Sequence, residues 1–394
     1  MALIYITKQG YPENSPEFNS QNQTYVSVYT DDVNRQLVFI DEKTSTELYR
    51  IPDTTADAVI VLGQGKDSSV RCGNQNQALG DFATVFGNCN IALNGSSSAY
   101  PVYPNTIGGG ESNYIGSNTC SAYYGGGNTI GGGFNNSMNL SNSAYYNALN
   151  TISGGYNNQM ICGDGSFIGG GYSNSARQNL TTIGGGLNNV TCGFYSSILG
   201  GRNNISGGLS STIGGGLGNC ATSNYSLVGG GLGNTSSNFY SLVVGGRTNL
   251  STAISSVVVG GECNGVSAAC STIVGGFKNE ITRNLSFIGG GFTNAITSCF
   301  SIIGGGRNNS ISGDNATIAG GRENIASGQF SAILGGKTNN TANFSDAMIV
   351  GSAITADRAC TTFVNNLSIK SIPTSSAGLP AGSVWNDLGT LKIV

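Results

Sequence analysis

The sequence predicts an all-β protein, a parallel β-roll or β-solenoid of ~15-residue coils. Its coils are expected to pack as a homotrimer, with small β domains at both ends. Three observations predict this. Gly makes up 63 of the 394 residues, against a usual ~7%, and without the Gly-X-Y period of collagen. Gly-Gly-x-x-Asn recurs with its second Gly at 171, 186, 201, 216, 231, 246, 261, 276, 291, 306, 321 and 336, every step being 15. Twelve residues after each such Gly stands an aliphatic residue, from Ile183, Ile198, Ile213 and Val228 through Ile288 to Ile333 and Met348.

Each element of the coil follows from local chemistry. A unit this short cannot hold two helices, and Gly-Gly in every unit would break them. β-Branched residues alternating with hydroxyl residues beside glycine read as short strands. Gly supplies positive-φ corners and Asn tolerates them, so Gly-Gly-x-x-Asn is turn chemistry. Stacking coils at ~4.8 Å turns each column into a ladder. The aliphatic column becomes an inner seam. The Asn column, with Asn189, Asn204, Asn219 and Asn234 among its members, hydrogen-bonds along the stack. A hydroxyl column precedes the aliphatic one by two places, including Ser196, Ser211 and Ser226. Five residues after the Gly runs a mixed column that turns apolar late, at Val266, Ile281, Ile296, Ile311 and Ala326. One or two core residues per coil make a thin core, and this is why association into a cyclic homotrimer is expected.

Three regions follow along the chain. Residues 1–60 carry no repeat; Tyr25–Tyr29 and Gln36–Ile40 read as strands with a turn at Asp31-Asp32, which predicts a small β domain for attachment or for starting the trimer. Residues 61–351 are the glycine-rich shaft. Regular coils occupy 171–351, and the region about 87–155 has coils with roughly eight extra residues each, read as lateral loops. Residues 352–394 leave the repeat and are expected to form a C-terminal β domain.

The repeat over about 73–351, in units such as Ser211-Thr212-Ile213-Gly214-Gly215-Gly216-Leu217-Gly218-Asn219, resembles the head repeats of trimeric autotransporter adhesins. That resemblance implies trimeric parallel β-rolls. The segment from Ile372 to Val394, ending Gly-Ser-Val-Trp-Asn-Asp-Leu-Gly-Thr-Leu-Lys-Ile-Val, is similar to the closing segment of many phage and large-virus structural proteins. It implies a virion protein, often a fibre or decoration protein.

Chemistry is expected to be absent. The chain has no His, which removes Ser-His-Asp triads and nearly all catalytic zinc sites. The shaft carries few carboxylates (Glu262, Glu280, Asp314, Glu323), too scattered for paired acid–base work. Gly63-Gln64-Gly65-Lys66 lacks the Gly and the Ser/Thr that a phosphate loop needs at either end. The ten Cys form no CxxC pair and read as free, half-buried thiols. No cofactor or metal is expected. Lys+Arg 17 against Asp+Glu 20, with no basic cluster, argues against nucleic acid. Met1–Lys8 has no basic segment followed by a long apolar run, so no secretory signal is expected. No stretch reaches the ~20 apolar residues of a membrane span.

The functional expectation is a structural viral fibre, whisker or decoration protein. It would be made in host cytoplasm, displayed on the virion surface, joined to another virion protein through the N-terminal domain, and able to attach to a host glycan or protein. Two alternatives stay open: an extracellular or cell-surface bacterial adhesin with the same trimeric head, and a solenoid carbohydrate-active enzyme. The candidate receptor contacts are tyrosines at matching depth in the three long coils: Tyr100 and Tyr103, Tyr123 and Tyr124, Tyr145 and Tyr146. Tyr offers an apolar face and a hydroxyl at little entropic cost; the same rings can equally pack loops against the roll.

Overall fold

A computed structural model describes residues 3–7, 23–31, 36–41, 46–51, 61–62, 70–73, 75–79, 83–93, 104–116, 127–139, 149–161, 164–368 and 370–394. The described residues are all-β, without a helix, in about 17 stacked coils. The chain divides into two compact units, Met1–Cys270 and Ser271–Val394.

The first unit opens with a four-stranded antiparallel meander: β1 (Leu3–Thr7), β2 (Gln23–Asp31), β3 (Gln36–Asp41) and β4 (Thr46–Ile51), paired in chain order. β2 and β3 pair in antiparallel register from Val26↔Asp41 to Asp31↔Gln36, as the two strands read from sequence require. Two short strands, β5 (Val61–Leu62) and β6 (Val70–Arg71), lead into the coils.

Every regular coil has one plan, well seen after Gly186. Asn189 is buried and the strand Val190–Thr191 follows it. A turn leads to buried Ser196, then to the strand Ser197–Ile198, and Gly200-Gly201 closes the coil. Strands of equal rank pair in parallel with the next coil, Ile198 on Ile213 and Thr191 on Ser206, making an isoleucine sheet and an asparagine sheet. Because side chains alternate across a strand, one residue of each two-residue strand points inward. Ile198, Ile213, Val228 and, in the second unit, Ile288 are all at 0% exposure.

The mixed column is also interior throughout. It is large and apolar in the long coils (Ile115, Met138, Met160), small or hydroxylic in the middle (Thr191, Ser206, Ala221, Ser236, Ser251), and apolar again from Val266. Each coil therefore closes its own core within one chain. Where two serines face each other they bond across the interior: Ser206 with Ser211 at 2.7 Å, Ser236 with Ser241 at 2.7 Å, and Ser251 with Ser256 at 2.6 Å. In the Gly186 coil the corresponding Thr191 Oγ1 and Ser196 Oγ have no partner.

Gly201 shows why the second glycine is obligatory. Its φ is 87°, and a Cβ there would stand 2.3 Å from the Gly216 carbonyl oxygen of the next coil. Two further positions per coil are left-handed, and outside Gly218 and Gly233 the regular coils fill them with residues other than glycine: in the Gly201 coil, Asn203 (φ 56°) and Ser210 (φ 53°). The second of these columns holds bulky Tyr195, Tyr225, Tyr240, Phe300 and Phe330, at about 1–2 kcal/mol each. The left-handed residue reverses its amide. Ser210 N–H donates back to Phe194 O of the preceding coil at 2.8 Å, whereas Thr212 N–H donates onward to Ser226 O at 3.0 Å. Each turn is thus bonded in both directions along the stack.

In the second unit one residue of the aliphatic column is corrected. Ile349, not Met348, pairs with Ile333 and is fully buried, while Met348 is 41% exposed. An extra residue in the turn ending at Asp346 displaces the strand by one, and a single glycine, Gly351, where the preceding coil has Gly335-Gly336, restores the step. Parallel pairing then continues past 351: Thr355 lies on Asn340, and Thr362–Val364 lies on Met348–Val350. The chain ends in an antiparallel hairpin, Val384–Asp387 with Thr390–Ile393, turning through left-handed Leu388 and Gly389. Lys392 bonds Asp387 and lies over the Trp385 ring at 5.7 Å.

Candidate functional site

The Asn column is a clamp. Asn189 Oδ1 accepts the backbone N–H of Asn204 at 3.1 Å, and its Nδ2 donates to Gly185 O in its own coil and to Gly201 O in the next, each at 2.9 Å. Asn204, Asn219 and Asn234 repeat the pattern. The ladder is unbroken across the long coils, where Asn113 still donates to Asn90 Oδ1 at 2.8 Å from 23 residues away. The extra residues therefore leave the stack undisturbed.

Their roots are visible. The strands ending at Gly116 and Asn139 lead into residues outside the described set, and the chain returns at Gly127 and Leu149. All six candidate tyrosines, Tyr100, Tyr103, Tyr123, Tyr124, Tyr145 and Tyr146, lie outside the described residues. At the root of each long loop Asn replaces the hydroxyl column. Asn128 N–H donates to Asn105 Oδ1 at 3.1 Å, Asn150 N–H to Asn128 Oδ1 at 3.2 Å, and Ser166 N–H to Asn150 Oδ1 at 2.8 Å. This second amide ladder was hidden in the sequence by the irregular spacing; the shared Asn-Thr-Ile at Asn105, Asn128 and Asn150, with the buried Ile two residues on, is the signal that finds it.

In the regular coils of the first unit, the same turn carries exposed rings, Phe194, Tyr195, Tyr225, Phe239 and Tyr240. Tyr225 and Tyr240 stack at 5.1 Å with 7° between planes. On the opposite, Gly-Gly turn a second column stacks: Phe134 on Tyr156 at 5.2 Å and Tyr156 on Tyr172 at 4.8 Å. In the second unit Phe277 stacks on Phe292, and the Arg307 guanidinium extends that column 5.3 Å from the Phe292 centroid. Rings stacked this way cover one another's faces and present edges and hydroxyls to solvent.

The two sheets differ in charge. Outward positions of the isoleucine sheet hold only Thr, Ser, Gly, Val, Leu and Phe from Thr84 to Val259 in the first unit. In the second unit, from Thr272 to Val350, they hold only uncharged residues, including exposed Ile302, Leu334 and Met348. The charged side chains of the regular coils sit on the turns and the asparagine sheet, for example Arg177, Arg202, Arg247 and Glu280.

Burial pushes the Tyr114 hydroxyl and the Cys220 thiol up. The eight described cysteines are free thiols, with Cys263, Cys270 and Cys360 exposed. No group of three or more metal-ligating side chains occurs among the described residues, and no helix among them is long and apolar enough to cross a membrane. No protein-family model matches the chain, and no curated protein matches it.

Proposed function

We propose that this chain is a structural fibre, whisker or decoration protein of a virus particle, assembled as a homotrimer. In this reading the N-terminal β domain joins it to another virion protein and the coils carry it toward the host surface. The observation that carries the assembly is the uncharged outer face of the isoleucine sheet. Each coil already closes its own core, so the faces left to bury are external. A long surface without a single charge, carrying exposed Leu199, Leu227 and Val244, is what a self-association interface requires. The closing Gly-Ser-Val-Trp-Asn-Asp segment supports the virion assignment by its similarity to viral structural proteins. Light scattering of the purified chain should give about three times 40.2 kDa. Leu242→Glu with Val257→Glu should release folded monomers, since charges on that face cannot be buried unpaired. A stable wild-type monomer would remove the trimer, and failure of specific antibodies to label purified particles would remove the virion role. A surface adhesin of the same fold is the second reading, favoured by the exposed rings at the insertion-side turn.

A further inference from the structure

The asparagine sheet of the first unit carries an open groove of about 520 Å³ beside the Phe134–Tyr156–Tyr172 column. Amides and hydroxyls line it, with Asn135, Asn157, Asn188, Gln159 and Ser173 among them, and no carboxylate. The amides are held in place: Asn135 Nδ2 donates to Asn157 Oδ1 at 3.0 Å and Asn157 Nδ2 to Ser173 Oγ at 2.9 Å, both asparagines lying at left-handed φ. The one charge in the groove is Arg177. Its Nε donates to Ser175 Oγ at 3.1 Å, and it forms no ion pair among the described residues. Gln159, one coil earlier and paired in register with Ser175, is exposed.

We propose that this groove binds a linear acidic glycan laid along the coil axis. Sugar hydroxyls would pair with one polar side chain per coil, Asn135, Asn157, Ser173 and Asn188, and a carboxylate or sulfate would take the free edge of the Arg177 guanidinium. The coil spacing of ~4.8 Å is close to the advance of one pyranose in an extended chain, so the polar side chains of one column meet successive sugars in equal positions. An exchanged peptide strand is disfavoured, because the sheet's amides are already spent: Gln159 N–H goes to Asn174 O and Ser175 N–H to Asn189 O, each at 2.8 Å. A nucleic acid would need several phosphate-neutralising cations, and the groove has one. An apolar ligand would need apolar walls. The inference names a ligand class for the attachment role proposed above and depends on that role only for its biological meaning.

The test is calorimetry on the full chain with hexagalacturonate, a heparin hexasaccharide and neutral cellohexaose. One or both acidic probes should bind and cellohexaose should bind far more weakly; comparing the first two separates carboxylate from sulfate recognition. Arg177→Ala should weaken binding about tenfold or more and Gln159→Ala by a few-fold, with Arg177→Lys between wild type and Arg177→Ala. Arg202→Ala, outside the groove, should bind as wild type does. No binding of any probe by the wild-type chain overturns the proposal. Binding indifferent to Arg177 and Gln159 does so too, and equal affinity for cellohexaose overturns the acidic class. Failure of the fibre reading would appear instead in the scattering mass and particle labelling, and would leave these isotherms unchanged.

Discussion

The Asn204 backbone N–H donates to Asn189 Oδ1 at 3.1 Å, while Asn189 Nδ2 donates to Gly201 O of that same next coil at 2.9 Å. One side chain thus bonds its neighbouring coil twice, at 0% exposure. Asn204→Ala leaves two carbonyls and one N–H without this partner and should cost about 2–4 kcal/mol in chemical denaturation. Asn204→Asp cannot donate to the two glycine carbonyls. Its stability should fall further as pH rises through the carboxyl range, because burial raises the folded pKa and disfavours the charged form. Equal stability of wild type and both variants would show that the amide clamp contributes nothing.

Ile213→Asp and Ile288→Asp should prevent folding, since an unpaired charge in a dry seam costs several kcal/mol. Arg202→Ala and Arg307→Ala should shift the melting midpoint little. Arg307 gives up only an exposed cation–π contact, about 0.5–1 kcal/mol. Circular dichroism melts of the four variants check the inside–outside assignment; comparable losses in all four would reverse it.

Thr191→Val removes a buried hydroxyl that has no partner while conserving shape, and should be neutral or stabilising by about 1 kcal/mol. Ser206→Ala breaks the 2.7 Å bond to Ser211 and should destabilise by about 1 kcal/mol. A pair of urea titrations decides; the same sign for both changes would contradict the interior hydrogen-bond assignment.

Alkylation at mildly alkaline pH should follow exposure and thiol acidity. Cys263, Cys270 and Cys360 are exposed and should react first. Burial raises the Cys220 thiol pKa, so less thiolate is present at a given pH and Cys220 should lag behind them. Peptide mapping by mass spectrometry reads the order, and early modification of Cys220 would mean that its coil opens.

The tyrosines of the long coils can be tested without a view of their loops. Tyr100→Ser, Tyr123→Ser and Tyr145→Ser combined should abolish attachment to host cells with an unchanged melting curve if these rings contact a receptor. Lost stability would instead return them to packing. The described residues where the chain rejoins the stack are tied from coil to coil by the second amide ladder, Asn105, Asn128 and Asn150.

Period, strand type and the inner column were legible in the sequence because each coil repeats the same chemistry at the same place. Gly201 must be glycine in any such stack, and Ile198, Ile213 and Ile288 had nowhere to go but inside. Other features belong to the stacking itself. Whether Met348 or Ile349 is buried depends on register with Ile333, a contact that no local pattern encodes. Left-handed Tyr195 and Phe300 carry no glycine-like signature, because their conformation is held by bonds to the coil before. The Asn105–Asn128 ladder and the Arg177 groove join residues from successive coils, 15 to 23 positions apart. Local propensity wrote the coil, and hydrogen bonds between coils decided which side chains share a ladder, a seam or a groove.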